Sequence, residues 1–309
     1  MKKLFFFLGL LCLLLLLTGC YTPKLTSTPE LLELKDSSQR IVIIKGTPQR
    51  IITLSPSFVQ LIEALDGSLV GTASSNLVPT DPGLTKVGFS FNVNTEKILS
   101  LQPDLVIGYQ GMHERYLPFF AEMNIPVLML KLKSYQDVQQ ALQLLGRALQ
   151  QEPKAAAIQK ELSHRMAAAL SKLPPRPYSL AIVHYSPQGI ALETEHSIAG
   201  ATAKILQMHN VLADAPQLTP LQRKNEFIPY SLEMVIQQNP EIIFVTSMGA
   251  HSTVDDYIKK EILENPSWST VLAVQKQQVY SLPEELFLIN PGLRYPEAVA
   301  YMAARLPAP

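Results

Sequence analysis

One unit occurs twice in this chain, and it constrains the fold more than anything else. Asn94-Thr95-Glu96-Lys97-Ile98-Leu99-Ser100-Leu101-Gln102-Pro103-Asp104-Leu105-Val106-Ile107 lies on Ser231-Leu232-Glu233-Met234-Val235-Ile236-Gln237-Gln238-Asn239-Pro240-Glu241-Ile242-Ile243-Phe244 at a constant offset of 137 residues (94 to 231). Each copy reads as a cap, a glutamate, a short helix, a proline, an acid and an apolar strand. A strand that is apolar throughout is buried on both faces, so helices must cover both sides of its sheet. Around the first unit, Arg50–Ser55, Leu69–Thr72 and Pro126–Leu130 also read as short buried strands. A helix is expected between them at Phe58, Leu61, Ile62 and Leu65, and another over 113–123, while Val78–Val93 reads as a loop. Such alternation implies an α/β fold with parallel-rich sheets.

Two helical segments then interrupt the alternation, over 134–149 and from Pro153 to Leu173. The second has Ile158, Leu162, Met166, Leu170 and Leu173 on one stripe and would form a rod of about 30 Å. Pro174-Pro175-Arg176-Pro177 ends it, and Ser179–Tyr185 starts a second alternation. The expected organisation is an N-terminal lobe over 40–150, a single long linking helix within 151–176 and a C-terminal lobe over 177–309.

Residues 1–19 are different in kind. Lys2 and Lys3 precede an apolar run from Leu4 to Leu17, the pattern of a signal peptide. The run is short for a membrane span of about 20 residues. It ends Leu17-Thr18-Gly19-Cys20, which resembles the lipobox of bacterial lipoproteins and implies cleavage before Cys20 and lipidation of its thiol. Residues 20–39 are then a polar tether with a short helical piece at 29–35. The other cysteine, Cys12, leaves with the leader, so the mature body has no thiolate chemistry. The whole chain balances 26 basic against 26 acidic side chains, and losing Lys2 and Lys3 leaves 24 against 26. That balance argues against a nucleic-acid partner.

Three stretches together carry a family resemblance: Arg50-Ile51-Ile52-Thr53-Leu54-Ser55-Pro56-Ser57, the unit from Asn94 to Ile107, and Pro291-Gly292-Leu293-Arg294-Tyr295-Pro296-Glu297-Ala298. Over about 48–307 the chain resembles the iron-chelate, haem and cobalamin class of ABC-transporter substrate-binding proteins. The resemblance implies two Rossmann-like lobes bridged by one long helix, a ligand held between lobes that move little, and an extracytoplasmic, lipid-anchored place in the cell envelope. It also implies that Glu96 and Glu233, one on each lobe, pair with arginines of a permease dimer. A first-turn glutamate is equally favoured by the helix dipole alone. The chain departs from the family at Gln60, where many members have glutamate.

Ligands of parallel α/β sheets bind beyond the carboxyl ends of the strands. The loops at those ends are rich in aromatic residues, Met and His: Ser55–Phe58, Gly88–Phe91, Tyr109–His113, His184–Ser186, Ser247–His251 and Glu284–Arg294. The candidate ligand contacts are Phe89, Tyr109, His113, Tyr185, Met248, His251, Phe287 and Arg294. Haem, a ferric siderophore or cobalamin would suit such a lining as transported ligand, and no resident cofactor is called for. A zinc or manganese receptor would need about three histidines and a carboxylate at one point, and only His113, His184 and His251 are placed for it. P-loop, Gly-x-Ser-x-Gly and His-Glu-x-x-His motifs are absent. Ligand binding without turnover is therefore expected, with a metallochelatase-like enzyme as the reading from another class.

Overall fold

The computed structural model describes residues 31–74, 83–171, 173, 176–186, 189–247 and 251–307. An antiparallel hairpin comes first, Leu31–Lys35 (β1) and Ile41–Lys45 (β2). The first large sheet contains Ile51–Thr53 (β3), Leu69–Ser74 (β4), Thr85–Phe89 (β5), Asn92–Val93 (β6), Leu105–Tyr109 (β7) and Val127–Leu130 (β8), in the order β6-β5-β4-β3-β7-β8. All its pairings are parallel except β5 with β6. The second contains Ser179–Ser186 (β9), Gly189–Glu193 (β10), His209–Asn210 (β11), Phe227–Pro229 (β12), Ile242–Ser247 (β13) and Val279–Ser281 (β14). Its order is β12-β10-β9-β13-β14, with β11 also on β9. The pairs β9–β13 and β13–β14 are parallel, and β10 runs antiparallel to both its neighbours.

The helices of the first half are Val59–Ala64 (α1), Thr95–Ser100 (α2), Leu117–Glu122 (α3), Tyr135–Ala148 (α4) and Glu152–Leu170 (α5). Those of the second half are Ile198–Ile205 (α6), Leu232–Gln238 (α7), His251–Tyr257 (α8), Leu272–Gln275 (α9), Glu284–Phe287 (α10) and Tyr295–Ala303 (α11). The chain is thus the mixed α/β fold with parallel-rich sheets that the alternation predicts.

The repeated unit is repeated in structure. Asn94 caps α2 by accepting from the Lys97 amide at 2.9 Å, and Ser231 caps α7 by accepting from the Met234 amide at 3.2 Å. Each unit turns from helix to strand through a left-handed residue at the same position, Gln102 with φ 48° and Asn239 with φ 45°. The acid that follows the proline fastens the unit to the start of a neighbouring strand. Asp104 accepts from the backbone amides of Gln49 and Arg50 at 2.7 and 2.9 Å, just ahead of β3. Glu241 accepts from the Ser179 amide at 3.1 Å, at the head of β9. Arg176 also binds Glu241, and that bond holds the carboxyl below its ordinary pKa.

Three expectations need correction. Residues 31–35 form a strand, not a helical piece of tether, because Leu34 drops into the core and the segment pairs in register with β2. Two strands, β5 and β6, lie in the stretch read as a loop; their alternation is short and broken by Gly88. The helix read over 113–123 divides into a 3₁₀ turn, Glu114–Tyr116, and α3.

Alternate residues of each strand enter different cores. Ile51, Ile107 and Leu130 share one apolar cluster with Leu142 and Leu145 of α4, Leu162 and Met166 of α5, and Leu180, Ile182, Phe244, Tyr295 and Val299 from the second half. Ile52, Leu54, Val106 and Met129 form a second cluster on the opposite face of the first sheet. Ala181, Val183, Ile243, Val245 and Trp268 do the same on the second sheet. In the shared cluster α5 packs against α4 and α11. The turn Gly292–Arg294 reaches back to α1 and α4. Gly292 has φ 53°, and a Cβ there would lie 3.1 Å from Leu61 Cδ1.

The α4–α5 crossing is tight enough to test. A Cβ on Gly146 would sit 2.6 Å from the Ala155 Cβ. Gly146→Ala is expected to lower stability by about 1 kcal/mol, because overpacking of about 1–3 kcal/mol exceeds the gain in helix propensity. Adding Ala155→Gly should recover most of the loss. Urea midpoints of the three proteins measure this, and a stabilised single variant would refute the close crossing.

Candidate functional site

In the first sheet the chain moves outward from β3 in one direction through β4 and β5, and in the other through β7 and β8. The switch point therefore lies between β3 and β7, and the loops beyond their carboxyl ends form a crevice. Ser55, Pro56 and Ser57 come from the end of β3, and Tyr109, Gln110, Gly111 and Met112 from the end of β7. Leu288, Ile289 and Asn290, with Ile198 and Glu226, come from the second half. Together with Ser74, Phe89, Ser90, Phe91 and Lys133 they enclose a cleft of about 630 Å³ between the halves, within the ordinary range for small-molecule sites.

The apolar rim is built from β5 and β6. Gly88, at φ 99°, makes the turn possible, since a Cβ there would fall 2.7 Å from the Asn92 carbonyl oxygen. Phe89 and Phe91 emerge stacked, ring centroids 5.7 Å apart and planes 9° from parallel. They are 54% and 68% exposed, and Met112 is exposed beside them on the cleft lining. Large apolar groups left open to water in this way are characteristic of a binding surface.

His113 holds that rim in place. It is fully buried. Its Nδ1 accepts from the Tyr109 amide at 2.7 Å, so Nε2 carries the proton and donates to the Ser90 carbonyl at 2.7 Å. Burial lowers its pKa below 6.5, against the opposing effect of the Ser90 bond. Arg115 donates to the Phe91 carbonyl from the other side. The His113 side chain therefore does not face a ligand, and that expectation is corrected: both ring nitrogens are taken by backbone.

The cleft floor is pinned at the Leu132 carbonyl, which accepts from the Tyr109 hydroxyl at 3.0 Å and from the Asn290 side-chain amide. Tyr109 lines the cleft as expected, but burial, with the charge of Glu226, raises its pKa far above the ordinary value. Across the cleft Lys133 forms an ion pair with Glu226.

Other expected contacts lie elsewhere. Phe287 is buried in the shared core against Tyr301, with centroids 6.0 Å apart. Arg294 points to the outer seam, where it binds Glu297 at 2.8 Å, and Glu297 also pairs with Arg165 on α5. Tyr185 stacks on Tyr257 at 4.2 Å and is not among the lining residues of this cleft. Met248 and Cys20 lie outside the described residues, as does the side chain of His251, whose backbone begins α8. Glu96 and Glu233 are exposed in the first turns of α2 and α7, and neither makes an ion pair among the described residues. Among those residues no group of three His, Cys, Asp or Glu could hold a metal ion. His184, offered for such a site, instead binds Thr246 at 3.0 Å beside buried Glu193. Lys133 and Glu226 have no signal in sequence, because they meet only when the two halves come together.

A family model described as periplasmic binding protein matches residues 51–286. The Fe(3+)-citrate-binding protein YfmC of Bacillus subtilis is 26% identical, covering 94% of this chain and 92% of that one. An ABC transporter substrate-binding protein from Listeria monocytogenes superposes with a TM-score of 0.72 at 24% identity, over 84% of this chain and 98% of that one. IsdE of Staphylococcus aureus, solved in complex with heme, gives a TM-score of 0.69 at 21% identity, over 83% and 98% of the two chains. These relatives are described as binding proteins, that of Listeria as the substrate-binding protein of an ABC transporter.

The buried, neutral His113 makes a prediction about pH. Its folded pKa lies below the unfolded value of 6.5, so stability is complete above 6.5 and declines as the pH falls from there toward the folded pKa. His113→Asn removes this titration. In thermal melts across pH, the gap between wild type and variant should narrow as the pH drops below 6.5. A gap that widens would contradict a neutral His113.

Proposed function

The chain belongs to the periplasmic binding protein family, and from that premise we propose that it is the lipid-anchored receptor of an ABC importer whose cargo is haem. One observation carries the choice of cargo. The open rim of the cleft is apolar and planar (the Phe89–Phe91 stack with Met112), while among the described residues the one lining cation, Lys133, is already paired with Glu226. A small polyanion such as ferric citrate would meet little free positive charge there. A large conjugated ring would cover the exposed aromatic faces. That the heme-binding IsdE shares the fold is consistent with this reading. The same cleft would serve cobalamin, the second ligand of this class.

Titration decides between them. Haem should shift the Soret band and saturate at one equivalent, and Phe89→Ala with Phe91→Ala should weaken it about tenfold, near 1.4 kcal/mol. Protection from unfolding by cobalamin or ferric citrate, with no haem spectrum, would overturn the haem assignment. At 100 Kd a true ligand stabilises by about 2.7 kcal/mol, which a thermal shift detects readily.

Anchoring and docking belong to the same proposal. The Leu17-Thr18-Gly19-Cys20 pattern supports acylation of Cys20, and two chains or more anchor stably. The exposed, matched Glu96 and Glu233 supply two separated negative charges that register a permease dimer. In an uptake assay with fractionation, Cys20→Ala should release the protein from membranes. Glu96→Ala with Glu233→Ala should leave it anchored, with unchanged ligand affinity but reduced transport. Unchanged transport would reduce the glutamates to helix-start charges.

A further inference from the structure

The hairpin β1–β2 is amphipathic across its two faces. Leu34, Val42 and Ile44 point inward and are buried in the shared core. The outer face carries the cross-strand pairs Leu31–Lys45, Glu33–Ile43 and Lys35–Ile41. On it Leu31, Ile41 and Ile43 are 62%, 62% and 49% exposed. Among the described residues the other large apolar side chains exposed outside the cleft rim, Met123, Leu221, Phe227 and Leu263, are not neighbours in sequence. Three together on an otherwise regular ribbon, flanked by two lysines and one glutamate, mark a contact surface.

Position in the chain says what it contacts. Ten residues, Tyr21 to Glu30, separate Cys20 from β1, and even fully extended they reach only about 35–40 Å. The hairpin is the first element of the described residues beyond Cys20. Its turn is also bonded to β8 and to Gln110 of the cleft lining. Ser37 at its turn donates its amide to the Met129 carbonyl at 2.9 Å, and Gln110 donates to the Ser37 carbonyl at 2.9 Å. Arg40 at the same turn donates to Asp36 and to the Val127 carbonyl.

We propose that the outer face of this hairpin, Leu31, Ile41 and Ile43 with Lys35 and Lys45, lies on the anionic lipid surface of the membrane that carries acylated Cys20. The inference rests on the reading of Cys20 as lipidated. Apolar side chains enter the interface and the lysines meet lipid phosphate, as on other interfacial amphipathic surfaces. Because the turn is bonded to Gln110 of the cleft lining, this contact holds the cleft mouth near the plane in which a permease would sit.

The mature body lacks cysteine beyond Cys20, so one introduced thiol reports one place. An environment-sensitive fluorophore on Ile43→Cys is read in the lipidated protein on phosphatidylglycerol–phosphatidylethanolamine vesicles, with Leu263→Cys as control. The label at 43 should shift to the blue and be quenched by brominated acyl chains, the control should not, and Leu31→Glu with Ile41→Glu should abolish the effect. A label at 43 that stays water-like on protein that floats with the vesicles overturns the hairpin contact and leaves the anchor standing. Protein that fails to float refutes lipidation instead. The hairpin is then tested with the Cys20→Ser chain, tagged at its N-terminus, on the same vesicles doped with nickel-chelating lipid, where quenching supports it and its absence overturns it. A blue shift that needs no lipid and grows with protein concentration assigns the face to a second copy and also overturns the proposal.

Discussion

One apolar core runs through both halves of the molecule, and the remaining structure depends on it. Leu142, Leu162 and Met166 from the connecting helices touch the same cluster as Ile51 and Ile107 on one sheet and Ile182 and Phe244 on the other. The last helix closes it with Tyr295 and Val299, and the turn at Gly292 returns to Leu61 in the first half. Swinging the halves apart would expose this surface at about 25 cal/mol per Å². The halves are thus held by burial rather than by a flexible strand crossing, and the cleft between them is largely formed in advance.

A preformed cleft places the burden of recognition on its lining. His113 and Arg115 hold the backbone of the Phe89–Phe91 turn from two sides, and Tyr109 and Asn290 converge on one carbonyl beneath it. Each of these polar groups is spent on position. Among the described residues, what remains on the lining is largely aromatic and aliphatic surface, with Ser55, Ser57 and Ser74 and the cross-cleft ion pair between Lys133 and Glu226.

Much of this was legible in the residues, and the failures have a common cause. The repeated unit announced its caps and its helix-to-strand order, because these are local to a dozen residues, whereas the left-handed Gln102 and Asn239 and the bonds of Asp104 and Glu241 emerge only in the structure. The rule that strand ends carry ligands singles out Phe89 and Tyr109, and both lie on the cleft lining. The same rule misplaced His113, Phe287 and Arg294, since it says where a residue lies along a strand and not whether its side chain turns inward. The first hairpin was misread as helical because Leu31, Leu32 and Leu34 fit either period over so short a span.

The sequence by itself determined the fold class and the doubling of the helix–strand unit. Those follow from periodicity, capping and composition, which act between neighbours in the chain. Only the tertiary structure decided which side chains face the cleft. The Lys133–Glu226 pair joins residues 93 positions apart, and the Leu132 carbonyl receives Asn290 from 158 positions away. Contacts of that range exist only once the shared core has brought the halves together.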